Sequence, residues 1–312
     1  MEIRPARTED VDGIIEVLGA ALGETALLKR TPEQWAWKHV INPFGPSIVL
    51  LAWFGDRIAG VRAFMRWDLL TKDGHQVRCV RPVDTATHPD FERRGVFKAL
   101  TLEAVALARE SDIHLIFNTP NPRSGAGYLS MGWKAVGAIG VMARPRIGSA
   151  IHPIGADAPS IETVAPGSAQ FSPIHRTDRP SSGMRTPRTV DYQSWRFGSH
   201  PTVSYRSVAD GEGAAVLRVG VRSGRTELVL SDLLGGAGRR GVARAGRINR
   251  GSYLAAFFSK GSPERSAAIS GGMLPVPWLK TLQLVALPLT ELDTDPFDLR
   301  SWDIATSDLE LL

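Results

Sequence analysis

The 312-residue sequence predicts an α/β (α+β) fold, a mixed sheet flanked by helices, laid down twice along the chain. Three observations carry that expectation. Strand-like and helix-like patterns alternate through roughly the first 145 residues. A Pro/Ser/Ala-rich stretch then interrupts them at residues 147–187. Beyond it, an earlier segment recurs: "RTPEQWAWKHVINP" (Arg30 to Pro43) aligns without gaps on "RTVDYQSWRFGSHP" (Arg188 to Pro201). Arg30 meets Arg188, Trp37 meets Trp195 and Pro43 meets Pro201 at one offset, 158. Two more segments keep the same order, "ERRGVFKA" (Glu92 to Ala99) with "GRRGVARA" (Gly238 to Ala245) and, more weakly, "YLSMGWKAV" with "AAISGGMLPV". Chance similarity does not preserve order, so a duplication is expected. The domains are then 1–146, a linker 147–187, and a divergent second copy 188–312.

Element by element, "MEIRPA" reads as a short strand, and Thr8 is placed to cap a helix through "EDVDGIIEVLGAAL". Thr31-Pro32-Glu33-Gln34 is a capping box with proline at the first helical position. "SIVLLAWF" and "RIAGVRAFMRWDLL" alternate around a Gly55-Asp56 turn, which is a hairpin signal. Lys72-Asp73-Gly74 turns again into "VRCVRPVDTAT". His88 to Glu110 supplies a long helix, "IHLIFN" a buried strand, "SGAGYLSM" a short helix, and "KAVGAIGVMAR" one last strand.

Charge and composition narrow the function. The net charge of +5 favours anionic partners such as nucleotides or coenzyme phosphates, without the basic run of a dedicated nucleic-acid protein. One cysteine, Cys79, excludes an internal disulfide, and seven scattered histidines give no metal-ligand spacing, so no metal is expected. No leader and no long apolar run are visible, so a cytoplasmic protein with no membrane partner is expected. A nucleophile-elbow G-x-S-x-G and a Walker loop are both missing. "GAGRRG" (Gly236 to Gly241) matches the dinucleotide fingerprint literally, but its strand is expected to end several residues earlier, with no βαβ unit around it.

One helix start has the chemistry of an anion cradle. At Arg93-Arg94-Gly95-Val96 the first helical amides lack internal partners and carry the positive end of the macrodipole. Glycine lets an anion approach the backbone, and two arginines add charged donors.

Its surroundings give it a family. Strand "VDTAT" precedes it, and a strand ending in Asn118 and then Tyr128-Leu129-Ser130-Met131-Gly132-Trp133 follow it. With these, residues 1–145 resemble a GCN5-related N-acetyltransferase (GNAT), and the whole chain a tandem of two such domains. The family's pyrophosphate signature, Q/R-x-x-G-x-G/A, reads here Glu92-Arg93-Arg94-Gly95-Val96-Phe97; Gly95 matches, while Glu92 and Phe97 depart. The resemblance implies a splayed sheet and acetyl-CoA, or another acyl-CoA, as co-substrate. It implies coenzyme contacts from Thr85, Ala86, Thr87, Arg93, Arg94, Gly95, Val96, Phe97, Lys98, Asn118 and Ser124. Tyr128 is the implied general acid for the leaving thiolate. Asp84 is the candidate base, with His88 beside it; strand alternation leaves open which face Asp84 presents. Trp35 and Trp37 fall on different helix faces, one for packing and one for a substrate cleft. Ala268 aligns near Tyr128, so the second copy is expected to be degenerate.

The expected reaction is acyl transfer to a primary amine of a small molecule. Two alternatives stand beside it: acyl or aminoacyl transfer from a tRNA or carrier donor, and a non-catalytic coenzyme-sensing or partner-binding module. A homodimer is left open.

Overall fold

The computed structural model describes residues 1–24, 29–145, 181, 183–209, 212–222, 225–248, 253–279 and 281–309. The expected linker therefore lies almost wholly outside the described residues. Two compact units divide the chain, and they interleave in sequence: unit 1 is 1–137 with 283–298, and unit 2 is 138–282 with 299–311.

Unit 1 is a mixed sheet between helices. Its elements are β1 (Glu2–Pro5), α1 (Val11–Leu22), α2 (Pro32–His39), β2 (Ile48–Phe54), β3 (Arg57–Leu70) and β4 (Gln76–Thr87). α3 (Val96–Glu110), β5 (Leu115–Asn118), α4 (Pro122–Ser130) and β6 (Lys134–Ile139) follow. The sheet order is β1-β2-β3-β4-β5-β14-β6, with β14 (Leu282–Pro288) supplied from far along the chain, antiparallel to β5. Period-2 alternation assigns the two faces. Leu50, Ala52, Phe64 and Val80 meet the α3 stripe Val96, Leu100, Ala104 and Ala108. Leu51, Val61, Ala63 and Ala86 face α1 and α2 through Ile14, Val17, Leu18 and Trp35. Burying such side chains contributes about 1.5–3 kcal/mol each. Gly60 shows how closely α3 seats: a Cβ there would lie 2.6 Å from Val96 Cγ1 and 3.0 Å from the Ala86 carbonyl oxygen.

Turn and cap chemistry mostly follows the sequence. Thr31 Oγ1 accepts the Gln34 amide at 3.3 Å, opening α2, and Gly55 and Gly74 take the left-handed conformation their turns need. Thr8 does not cap α1. Thr8–Asp10 forms a 3-10 turn, and Asp10 stands at the cap position, because its carboxylate is claimed by the Arg7 amide at 2.7 Å and by the Arg4 fork. Nor is "KAVGAIGVMAR" one strand. It breaks at Gly140, and β7 (Val141–Pro145) joins the other sheet, where Val141 and Met142 are buried.

Unit 2 repeats the topology with different material. Its sheet order is β13-β7-β12-β11-β10-β9. These are β9 (Tyr205–Ala209), β10 (Gly213–Arg222), β11 (Arg225–Gly235), β12 (Tyr253–Phe257) and β13 (Leu274–Pro275). A two-residue strand pair, β8 (Met184–Arg185) with β15 (Trp302–Asp303), stands apart from that sheet. The helices are α5 (Val190–Gln193), α6 (Arg239–Ile248) and α7 (Pro263–Ser270). In unit 1, β4 and β5 are parallel and β14 sits antiparallel beyond β5; in unit 2, β11 and β12 are parallel and β7 sits antiparallel beyond β12. Unit 1 thus completes its sheet with a strand from a second, distant run of sequence, and unit 2 with the strand that opens its own run.

One expectation is corrected here. β11 runs to Gly235 because Leu233 and Leu234 are buried, and α6 opens four residues later, so "GAGRRG" does lie in a βαβ unit. The dinucleotide reading still fails, because β12 leads into Phe257-Phe258-Ser259 and offers no ribose-binding acid.

Candidate active site

The site in unit 1 forms where two parallel strands part. β4 and β5 pair at Cys79–Leu115 and Val80–Ile116, after which β4 continues to Thr87 without β5, paired with β3 only. Just beyond, the β3–β4 ladder is irregular: Arg62 alone stands opposite Asp84 and Thr85, between the pairs Val61–Ala86 and Ala63–Val83. Asp84 takes φ +40°, unusual for a non-glycine residue. This bulge settles which way the two side chains point. Asp84 turns toward α2, and Thr85 toward Arg62 on the α3 side.

The start of α3 is a left-handed turn open to solvent. Arg93 and Gly95 both adopt left-handed conformations, φ +61° and +78°, and Gly95 is the N-cap of α3. The first bond into the helix is the Ala99 amide to the Gly95 carbonyl at 3.0 Å, so the amides of Val96, Phe97 and Lys98 precede it. A Cβ on Gly95 would meet nothing within 4 Å, so space above the cradle is open. Arg93, Lys98 and Glu92 are exposed; Arg94 lies over the Phe54 and Phe91 rings. Phe97, the residue that departs from the signature, turns inward. Its ring packs edge-on to Tyr128 at 5.6 Å and lies under the Arg62 guanidinium at 4.8 Å, away from the cradle mouth.

Tyr128 is buried, its ring against Trp133, and its hydroxyl accepts a 2.6 Å hydrogen bond from Arg62 Nη1. Asn118, the last residue of β5, is also buried, and among the described residues its Oδ1 has no donor. Ser124 lies in the first turn of α4, where Asn121 caps it and takes its hydroxyl. Ala86 is core; Thr87 is half-buried at the end of β4.

The expected bases do not have a base's surroundings. Asp84 sits 2.6 Å from Lys38 Nζ, 3.0 Å from His39 Nε2 and 3.5 Å from Arg30 Nη1. Burial alone would raise its pKa, but Lys38 and His39 overcome that and hold the carboxylate far below its usual range. Such a group is a poor proton acceptor near neutrality. His88 Nδ1 accepts the Asp90 amide at 3.2 Å, so a neutral His88 carries its proton on Nε2 and has no lone pair left to offer. The cleft beside Asp84, about 290 Å³, is lined by Ile15, Leu18, Lys29, Arg30, Trp35 and Lys38, among others. Trp35 is the tryptophan that reaches it; Trp37 is core.

Residues 2–136 match the family model described as an acetyltransferase (GNAT) domain. Those residues, which make up most of unit 1, form a GNAT acetyltransferase domain. Solved structures similar to the chain include a GCN5-related N-acetyltransferase from Anabaena variabilis (11% identity, 93% of this chain and 73% of that one, TM-score 0.62). A probable N-acyltransferase from Enterococcus faecalis V583 follows at 12%, 92%, 72% and 0.60. Eis1 from Mycobacterium abscessus follows at 14%, 92%, 73% and 0.56. At these identities the likeness is one of fold, and it extends over both units of the chain. Among curated proteins, no sequence matches it. An acetyltransferase role therefore attaches to residues 2–136. No helix among the described residues is long and apolar enough to cross a membrane.

The sequence reading missed Arg62. An arginine inside the alternating run "IAGVRAFM", at a position whose face is otherwise apolar, was the available signal.

Unit 2 keeps the frame without these parts. β11 leaves β12 after Val229–Ala255, and Ser231 is an extra residue in the β10–β11 ladder. Gly241 lies inside α6 rather than at its cap. Ala268, whose carbonyl accepts from Met273 as that of Tyr128 accepts from Trp133, has no hydroxyl, and the facing residues Ala215 and Leu217 are core.

Proposed function

We propose that unit 1 transfers an acyl group, most simply acetyl from acetyl-CoA, to a primary amine of a small molecule by direct attack, and that unit 2 is a degenerate copy. The observation that carries the reading is the open left-handed cradle at Gly95, set beside parted strands. The residues there suit the coenzyme. The amides of Val96 to Lys98 with Arg93 would hold the pyrophosphate. Thr85 to Thr87 and the undonated Asn118 Oδ1 would receive the amide-bearing arm. The coenzyme supplies a thioester, whose C–S bond breaks as the N–C bond forms. Tyr128 donates its hydroxyl proton to the departing sulfur. Arg30 and Lys38, beside a bound amine, favour its neutral, nucleophilic form.

A thermal-shift measurement with acetyl-CoA and coenzyme A tests this. Wild type should be stabilised by several degrees at saturating ligand, and Gly95→Glu, which puts a carboxylate where the pyrophosphate would lie, should not. No shift in wild type would remove the coenzyme reading. The cationic cleft also selects among acceptors. An amine bearing a carboxylate should be used at least about tenfold better than a diamine of equal length. The reverse preference would place the acceptor elsewhere.

A further inference from the structure

The Arg62 guanidinium is the most deeply buried charge of unit 1, fully excluded from solvent in the middle of β3. Every hydrogen-bond partner it has is neutral: Thr85 Oγ1 at 2.8 Å, Tyr128 Oη at 2.6 Å, and Thr101 Oγ1. The Phe64, Phe97 and Tyr128 rings surround it, and among the described residues its Nε is without a partner. A buried cation whose recorded partners are all neutral costs stability, and burial pushes the group below its usual range, so packing does not explain it.

The direction of the hydrogen bonds explains it. A guanidinium has only donors, so all three oxygens must accept from it. Thr85 and Thr101 pass their own protons on, to the carbonyls of Val83 (3.2 Å) and Phe97 (2.5 Å). For the Tyr128 proton no acceptor is present among the described residues. Arg62 occupies the lone pair and leaves that proton pointing away from it.

We infer that Arg62 is the positioning residue for acyl transfer in unit 1. It orients the Tyr128 hydroxyl so that its proton is offered to the leaving sulfur, and it stabilises the phenolate that remains. The inference rests on the reading of Tyr128 as general acid. As the amine nitrogen bonds to the acyl carbon and the C–S bond breaks, the thiolate takes the Tyr128 proton. The phenolate keeps its hydrogen bond from Arg62 Nη1, which stays protonated throughout; the acylated nitrogen gives up its extra proton to water, and the phenolate recovers a proton from water. Unit 2 supports the pairing: where Tyr128 is replaced by Ala268, the β10 residues on the corresponding face are Ala215 and Leu217.

The test compares Arg62→Met, Tyr128→Phe and the double variant, using acetyl-CoA and the amine that wild type acetylates fastest. Arg62→Met should lower kcat about 100-fold, the scale of a lost general acid, with KM for acetyl-CoA within about threefold. In the Tyr128→Phe background it should cost nothing further. With p-nitrophenyl thioacetate, whose thiolate leaves without a proton, the loss should shrink below about threefold. If Arg62→Met does not fold, Arg62→Lys carries the same comparison, with a kcat loss of about tenfold and the same rescue. Losses that multiply in the double variant, or that are equal for both donors, overturn the role of Arg62 alone. A Tyr128→Phe enzyme with full turnover, or no turnover of any amine by wild type, overturns the acid reading and this inference with it.

Discussion

Arg30 in unit 1 and Arg188 in unit 2 occupy the same place in two different charge environments. Each precedes the threonine that caps a helix, Thr31 for α2 and Thr189 for α5. Each reaches an aspartate at the irregular part of the strand just after it has left its parallel neighbour, Asp84 at 3.5 Å and Asp232 at 2.7 Å. Around Asp84 the added groups are Lys38 and His39. Around Arg188 the added group is a second carboxylate, Asp308, held by both guanidinium nitrogens at 2.9 Å. A cleft of about 430 Å³ in unit 2 adds Glu264 and Asp303 to its lining. One unit therefore surrounds its pair with cations and the other with acids. The shared frame survives because buried pairs are hard to break singly; the surroundings are free to follow function.

The largest predicted effect separates the two pairs. Asp84→Asn removes the carboxylate that Arg30 and Lys38 share and should cost about 3–5 kcal/mol in denaturant unfolding. Asp232→Asn leaves Arg188 in its fork with Asp308 and should cost only about 1–2 kcal/mol. Equal losses would mean that the two clusters carry their charge alike.

A smaller effect concerns pH. Burial, then the nearby Asp232 and Asp303 charges, raise Glu264 to about 7, while Arg188 and the Glu264 amide act the other way. Its folded pKa lies above the unfolded value, so its contribution is complete below about pH 4.5 and is lost as pH rises toward 7. Across that window the wild-type melting temperature should fall relative to Glu264→Gln. Parallel curves would show that Glu264 titrates normally.

Much of unit 1 was legible locally. The Thr31 cap, the turns at Gly55 and Gly74, and the cradle at Gly95 each depend on a few neighbouring residues whose side chains or φ angles allow one conformation. The 158-residue offset was legible too, and Arg30 and Arg188 make equivalent contacts. Thr8 was misread because Asp10, two residues on, competes for the same helix end with a full charge and an arginine partner. The hydrogen-bonding roles of Asp84 and His88 were out of reach, because they turn on partners tens of residues away or on which nitrogen carries a proton.

By itself, the sequence determined most elements of unit 1, the acetyltransferase family of residues 2–136 and the place of the left-handed turn at Gly95, since these follow from periodicity, capping and motif spacing within short windows. Only the tertiary structure decided that "KAVGAIGVMAR" serves two sheets, that Asp84 is an ion-pair anchor, and that Arg62 meets Tyr128 across 66 positions. Pairing of this kind is set by which faces are buried together. That depends on the whole chain, and no local pattern encodes it.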